Sequence, residues 1–413
     1  MKKENALTSV LLAVLLLVNL CAICILIRRG MYAQASDFKG QWTFCAYTLR
    51  GIDPLALIGT TVSPIEKIGT VPAGFNTSPW GLFLGNFFYP GYLSKEVAGI
   101  YLIILNIIIT TLFAMYVFKK FCTVQKTFTF FAVAFTVFMQ NEWSAVYSGN
   151  AGGVMALLLV FACLSGDDYP ILSGIALSLA MTKPQLAVPF GFAFLLQKRY
   201  KLITVAAVID ILSWLIAAFL TRTNPLMLLK EFVSAGVALD MEFMGIFSPV
   251  FYWFTGSTKG ALLISMIFGL AFVAVFHFLQ KSKPVPHNSF FTFYPACFAT
   301  VFWCYTRGYD RAVLLIPALF CAMQVIESKT VLQKIIWFSA SAFCLWERLI
   351  ITVIYKGMAK ILYAGVILSP KDNRLKLCNT FSTSLYAVFL IIIACIILKA
   401  AKQNSYEANH PRT

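Results

Sequence analysis

Long apolar runs separated by short polar breaks make up most of the chain, and their lengths predict helices that cross a bilayer. The first run, Ala6 to Ile27, is about 22 residues, enough for a hydrocarbon layer of ~30 Å. Arg28 and Arg29 follow it where a signal peptide would have a small-residue cleavage site, so it reads as a retained span. Basic residues then cluster after later runs, as Lys119, Lys120 and Lys126, Lys198, Arg199 and Lys201, Lys281 and Lys283, and Lys329 and Lys334. These short-loop clusters share one face if the N-terminus is cytoplasmic and the run Gly81 to Tyr92 does not cross. Three longer segments, 28–96, 222–259 and 355–380, then fall outside. The expectation is an all-α polytopic membrane protein of about 12 spans, one transmembrane domain over residues 1–413, with both termini cytoplasmic and the plasma membrane as its site.

One run tests this topology. Ile171 to Gln197 reads as a single span or as two short halves meeting at Lys183-Pro184. A single span would put Lys198, Arg199 and Lys201 opposite the other basic clusters, so the charge pattern selects the hairpin. Short, broken helices at membrane depth line cavities, because the freed backbone groups need partners other than lipid.

Composition agrees. Sixty per cent of the residues are hydrophobic, mean hydropathy is +0.80 and only 12% are charged, which excludes a soluble enzyme. A net charge of +16 would suit nucleic acid. The basic residues instead end apolar runs, so they read as topology signals and contacts to membrane lipids, with no nucleic-acid partner. Most of the eleven cysteines lie inside apolar runs, and no Cys/His spacing resembles a metal site, so neither metal nor cofactor is expected.

After the first span, Phe38, Trp42, Cys45, Ala46 and Leu49 recur at helical spacing, opposite Lys39, Gln41, Thr43, Tyr47 and Arg50. The pattern predicts an amphipathic helix lying flat in the outer interface, stopped by Gly51 and Pro54. Asp37 opens it. The carboxylate has two readings, a cap on the first helical turn or a general base at the mouth of a membrane cavity, and a helix N-terminus supports both.

The order of several motifs resembles the polyprenol-phosphate-mannose-dependent mannosyltransferases, a family of the GT-C superfamily of polytopic glycosyltransferases. Carrying the resemblance are Asp37-Phe38 after the first span, Arg50-Gly51-Ile52-Asp53-Pro54 (with Leu55 where the family has Tyr) and Tyr147-Ser148-Gly149-Asn150. Gly174, Met181-Thr182-Lys183-Pro184-Gln185 and Arg307-Gly308-Tyr309-Asp310 continue it, so that it covers most of residues 1–330. It implies a GT-C-like fold and an inverting transfer of a sugar, mannose by family habit, from a polyprenyl-phosphate donor to a hydroxyl of a lipid or glycan acceptor on the outer face.

Such chemistry needs a base, cations for the leaving phosphate and an apolar groove for the tail. Asp37 is the candidate base. Lys183 is a candidate phosphate ligand or a lysine snorkelling from a helix end. Arg307 and Arg311 could bind phosphate or form an ion pair with Asp310. Glu142 and Asn150 suit an acceptor site or a solvated turn, and Asp53 reads first as a turn former. Trp42, Tyr47, Trp80 and Tyr89 could stack on sugars or form an interfacial belt. A transporter or flippase would show repeated halves, and none is visible. A lipid-linked polysaccharide polymerase or ligase would concentrate Arg and His in one late outer loop, yet residues 222–259 contain no His.

Overall fold

Proline and glycine positions account for many helix boundaries. The computed structural model describes residues 36–61, 63–72, 76–121, 148–237, 247–281, 290–302, 308–328, 330–345, 347–363 and 373–409. Among them all regular structure is helical. The expectations for Ala6 to Ile27, Glu142 and Arg307 lie outside the described residues. Two compact units form, Met1–Val188 with Arg199–Asp240 and Pro189–Lys198 with Met241–Thr413.

The first unit contains α1 (Ser36–Thr48), the single turn α2 (Gly81–Leu84) with a 3-10 turn at Gly85–Phe87, and α3 (Lys95–Phe121). It continues with α4 (Gly152–Ser165), α5 (Pro170–Met181), the start of α6 (Pro184–Leu196), α7 (Tyr200–Thr221) and α8 (Pro225–Val237). Proline opens α5, α6 and α8, where its missing N–H costs nothing. The run Gly81 to Tyr92 makes only the α2 and 3-10 turns, far too short to cross.

Small residues let α5 lie close against α7. A Cβ on Gly174 would sit 2.7 Å from the Leu202 carbonyl oxygen, and one turn on Ser178 Oγ donates to Asp210 Oδ1 at 2.6 Å. Contacts that advance together in both helices make α5 and α7 parallel, so the chain must return between them. That return is α6, and the break at Thr182-Lys183 therefore sits at the opposite end from Arg199, whose Nη2 pairs with Asp167 at 2.7 Å. The two-half reading of 171–197 holds.

Lipid accounts for the outward faces. Along α3, Ile100, Ile104, Ile108, Leu112 and Met115 are exposed while Leu102, Asn106 and Phe113 are buried. On α7, Val208, Ile211, Leu212, Leu215 and Phe219 are exposed in the same way. Apolar stripes of this length would be untenable in water. Together with the helix Thr258–Lys281, α3 and α7 are long and apolar enough to cross a membrane, and five shorter apolar helical segments accompany them among the described residues. The chain is a helical membrane protein.

The second unit takes the rest of α6, then α9 (Ser248–Thr255), α10 (Thr258–Lys281), α11 (Tyr294–Phe302), α12 (Leu315–Glu327), α13 (Val331–Leu345), α14 (Glu347–Leu362) and α15 (Asn373–Asn409). Phe268, Phe272 and Phe276 recur every fourth residue on α10. They pack against Phe302 and Tyr294 of α11, with Phe272 and Phe276 stacked 4.4 Å apart. Within segment 355–380, expected outside, α14 takes the first part despite Gly357, and α15 begins before its end.

Helix α1 also differs from expectation. It starts at Ser36 and ends before Gly51, whose φ of +78° suits glycine. Yet Thr43, Phe44, Tyr47 and Thr48 are as buried as Phe38 and Trp42, so protein covers most of the polar face as well as the apolar one. Its polar positions are used internally. The Tyr47 hydroxyl donates to the Gly69 carbonyl at 2.7 Å, Thr48 Oγ1 to the Phe44 carbonyl, and Arg50 Nη1 to the carbonyls of Ala46 and Gly91. Gly91 itself must be glycine, since a Cβ would lie 2.5 Å from the α1 backbone at Cys45 and Ala46.

Candidate functional site

Three segments distant in sequence meet where α1 begins, α4 begins and α5 breaks. Asp37 lies in the first turn of α1, only 2% exposed, where the unpaired N–H groups of a helix start favour an anion. Its Oδ2 accepts from Asn150 Nδ2 at 3.1 Å. Asn150 Oδ1 in turn accepts from Lys183 Nζ at 2.7 Å and from the Gly152 N–H at 2.8 Å. One asparagine thus holds the expected base and the expected cation in a single chain of hydrogen bonds.

The break at Lys183 has its own support. Pro184 has no N–H, so α5 cannot run on, and the carbonyls of Met181 and Thr182 need donors from elsewhere. Trp80 Nε1 donates to Met181 at 2.6 Å and Ser78 Oγ to Thr182 at 3.2 Å. The first loop therefore caps the broken helix and fixes the backbone that carries Lys183. Tyr89 performs a similar service at α4, its hydroxyl accepting the Ala151 N–H at 2.7 Å while its ring packs on Phe38. The deeply buried rings of Trp42, Tyr47 and Tyr89 are thus packing groups, not exposed platforms for sugars.

Asp53 falls elsewhere. Asp53 Oδ1 accepts the Leu55 N–H at 2.9 Å, a side-chain-closed turn beyond the far end of α1. Its carboxylate adjoins Glu231 of α8. Burial first, then the charge of Asp53 and a hydrogen bond with it, push the Glu231 carboxyl up to about 7. α8 is tied to the same loop, with Asn76 Nδ2 donating to the Phe232 carbonyl at 2.9 Å and the Phe232 ring against Trp80. Asp310 and Arg311 sit on the 3-10 turn Gly308–Leu314 of the second unit, both buried. Two features escaped sequence reasoning. One is the Ser78–Trp80 clasp, whose partners lie more than a hundred residues away. The other is Asp210, whose signal was visible as an acid midway along an apolar run.

A base candidate and a cation candidate, gathered at one end of an apolar helical unit, suit several transfer reactions. The model of glycosyltransferase family 87 matches residues 80–323, more than half of the chain. The chain belongs to glycosyltransferase family 87. No curated protein and no solved structure matches it. As a family 87 member it is a membrane glycosyltransferase, drawing sugar from a lipid-linked donor for a glycan or lipid acceptor. The matched region includes Asn150, Lys183, Asp310 and Arg311, with Asp37 upstream of it.

Proposed function

We propose that this family 87 enzyme transfers a sugar, with mannose the first to test, from a polyprenyl phosphate to a hydroxyl acceptor with inversion, on the outer face of the plasma membrane. The observation that carries the reading is the pairing of Asp37 and Lys183 through Asn150. In the proposed step the acceptor hydroxyl gives its proton to Asp37, and its oxygen attacks the anomeric carbon. The bond from that carbon to the phosphate oxygen breaks on the opposite face. The phosphate leaves with the bonding electrons, and the Lys183 ammonium compensates its charge. Proton removal by a placed base is typically worth about 10²–10⁴-fold, and charge stabilisation of the leaving group often more. Arg311 remains a second cation candidate in the other unit, with Asp310 as its neighbour.

The test is transfer from radiolabelled polyprenyl-phosphate sugars in membranes containing wild type or Asp37→Asn. The expected result is loss of turnover by about 10²-fold or more with expression unchanged. Unchanged turnover would remove Asp37 as the base. Labelled mannose, glucose and arabinose donors in parallel would name the sugar.

A further inference from the structure

In the second unit, α14 suits neither water nor hydrocarbon alone. Among the described residues it is neither a crossing candidate nor one of the shorter apolar helices. Its residues divide into three faces. Ile351, Tyr355 and Met358, four and then three residues apart, are buried or half-buried, and Ser382 Oγ of α15 donates to Met358 Sδ at 3.7 Å. The opposite side is exposed at residues 353, 356, 357, 360 and 361. At 3.6 residues per turn, Lys356 and Lys360 line one edge of that strip, and Val353, Gly357 and Ile361 line the other.

In hydrocarbon the two ammonium groups would be untenable. In water, Val353 at 62% and Ile361 at 79% exposure would gain nothing by facing outward. A membrane boundary satisfies both edges at once. The level of the helix agrees, because Ser382, which touches Met358, stands two residues before the apolar stretch Ser384–Ala400 of α15. Met358 therefore lies where that stretch leaves the hydrocarbon. Charge selects the lipid. The lysines are one turn apart, so their side chains emerge about 6 Å from each other, within reach of one phosphate or two adjoining ones. No Asp or Glu stands between Glu347 and Asp372 to compete with such a phosphate. We infer that α14 is a docking surface for anionic phospholipid, with Lys356 and Lys360 on headgroup phosphates and Val353 and Ile361 among the upper acyl chains. None of the residues proposed for sugar transfer takes part.

A lysine held near an anionic membrane surface is worth roughly five-fold in association, and salt screens the gain. The test places photoreactive benzoylphenylalanine at Ile361 of the full-length protein, in vesicles of equal parts phosphatidylcholine and phosphatidylglycerol. After irradiation, mass spectrometry reads which lipid is attached. The same probe at Ile104, exposed midway along α3, is the control for the charge of the protein as a whole. At Ile361, phosphatidylglycerol should be captured over phosphatidylcholine by roughly ten-fold at low salt, and at Ile104 by less than about two-fold. Lys356→Gln with Lys360→Gln should bring the Ile361 preference below about two-fold, whereas Lys356→Arg with Lys360→Arg should retain it. Capture in the proportions of the vesicle, or a preference that survives the double glutamine variant, overturns the inference. So does the absence of any lipid adduct, or attachment to a second copy of the chain, which would show that protein covers this face.

Discussion

Replacing Gly174 by alanine adds one methyl group where α5 meets α7. The new carbon would lie 2.7 Å from the Leu202 carbonyl oxygen and 2.7 Å and 2.8 Å from Val205 Cβ and Cγ1. Carbon atoms rest near 3.5–4.0 Å, so the helices must part by roughly 0.8 Å or more. One turn on, the Ser178–Asp210 hydrogen bond of 2.6 Å would stretch to the edge of bonding range. Overpacking of this kind costs about 1–3 kcal/mol, and the weakened hydrogen bond adds about 1 kcal/mol. At about 2–4 °C per kcal/mol for a unit of this size, the melting temperature in detergent should fall by roughly 5–15 °C. Gly191 in α6 is the matched control, since a Cβ there meets nothing within 4 Å. Gly191→Ala should be neutral or slightly stabilising, through lost flexibility of the unfolded chain. Thermal unfolding followed by tryptophan fluorescence compares the pair. A Gly174→Ala protein that melts with wild type, or a Gly191→Ala protein as damaged as Gly174→Ala, would refute the close approach of α5 and α7. Adding Ser178→Ala to Gly174→Ala should cost less than it does in wild type, because the two share one helix crossing.

Trp80→Phe should keep the ring against Phe232 while removing the indole N–H from the Met181 carbonyl. Stability should fall by about 1–2 kcal/mol and sugar transfer by more than that loss of folded protein explains; turnover per folded molecule equal to wild type would contradict the clasp. Glu231 predicts a pH effect. Its carboxyl is raised to about 7 from an ordinary 4.5, so the folded protein holds this proton more tightly than the unfolded chain. The contribution is complete below about pH 4.5 and disappears as pH rises through about 7. Glu231→Gln should therefore gain melting temperature over wild type between about pH 5 and about pH 8, and parallel curves would show that the fold does not raise the Glu231 carboxyl.

Parts of this structure were legible in sequence because their causes are local. Pro184 and the charge of the segment after it marked the break in 171–197, and Gly51 marked the end of α1. What surrounds an element was not legible. The two-sided pattern of α1 suggested a surface helix, but Tyr47, Thr48 and Arg50 spend their polar groups on the loop and helix around them. Asn150 could be weighed only as acceptor ligand or solvated turn, since its partners Asp37 and Lys183 lie 113 and 33 residues away. The approach of Asp53 to Glu231 escaped notice for the same reason, as spacing along the chain says nothing about it.

The unwound peptide at Met181-Thr182 ties two distant stretches of the gene to one another. A descendant that lost Trp80 could not recover by replacing Pro184, because a continuous rod through Lys183 would abolish the return that lets α7 lie along α5. The same rod would carry Lys183 away from Asn150 and its grip on the departing anion. At this spot durability and turnover hang on the same few contacts, so drift in the early loop weakens both together.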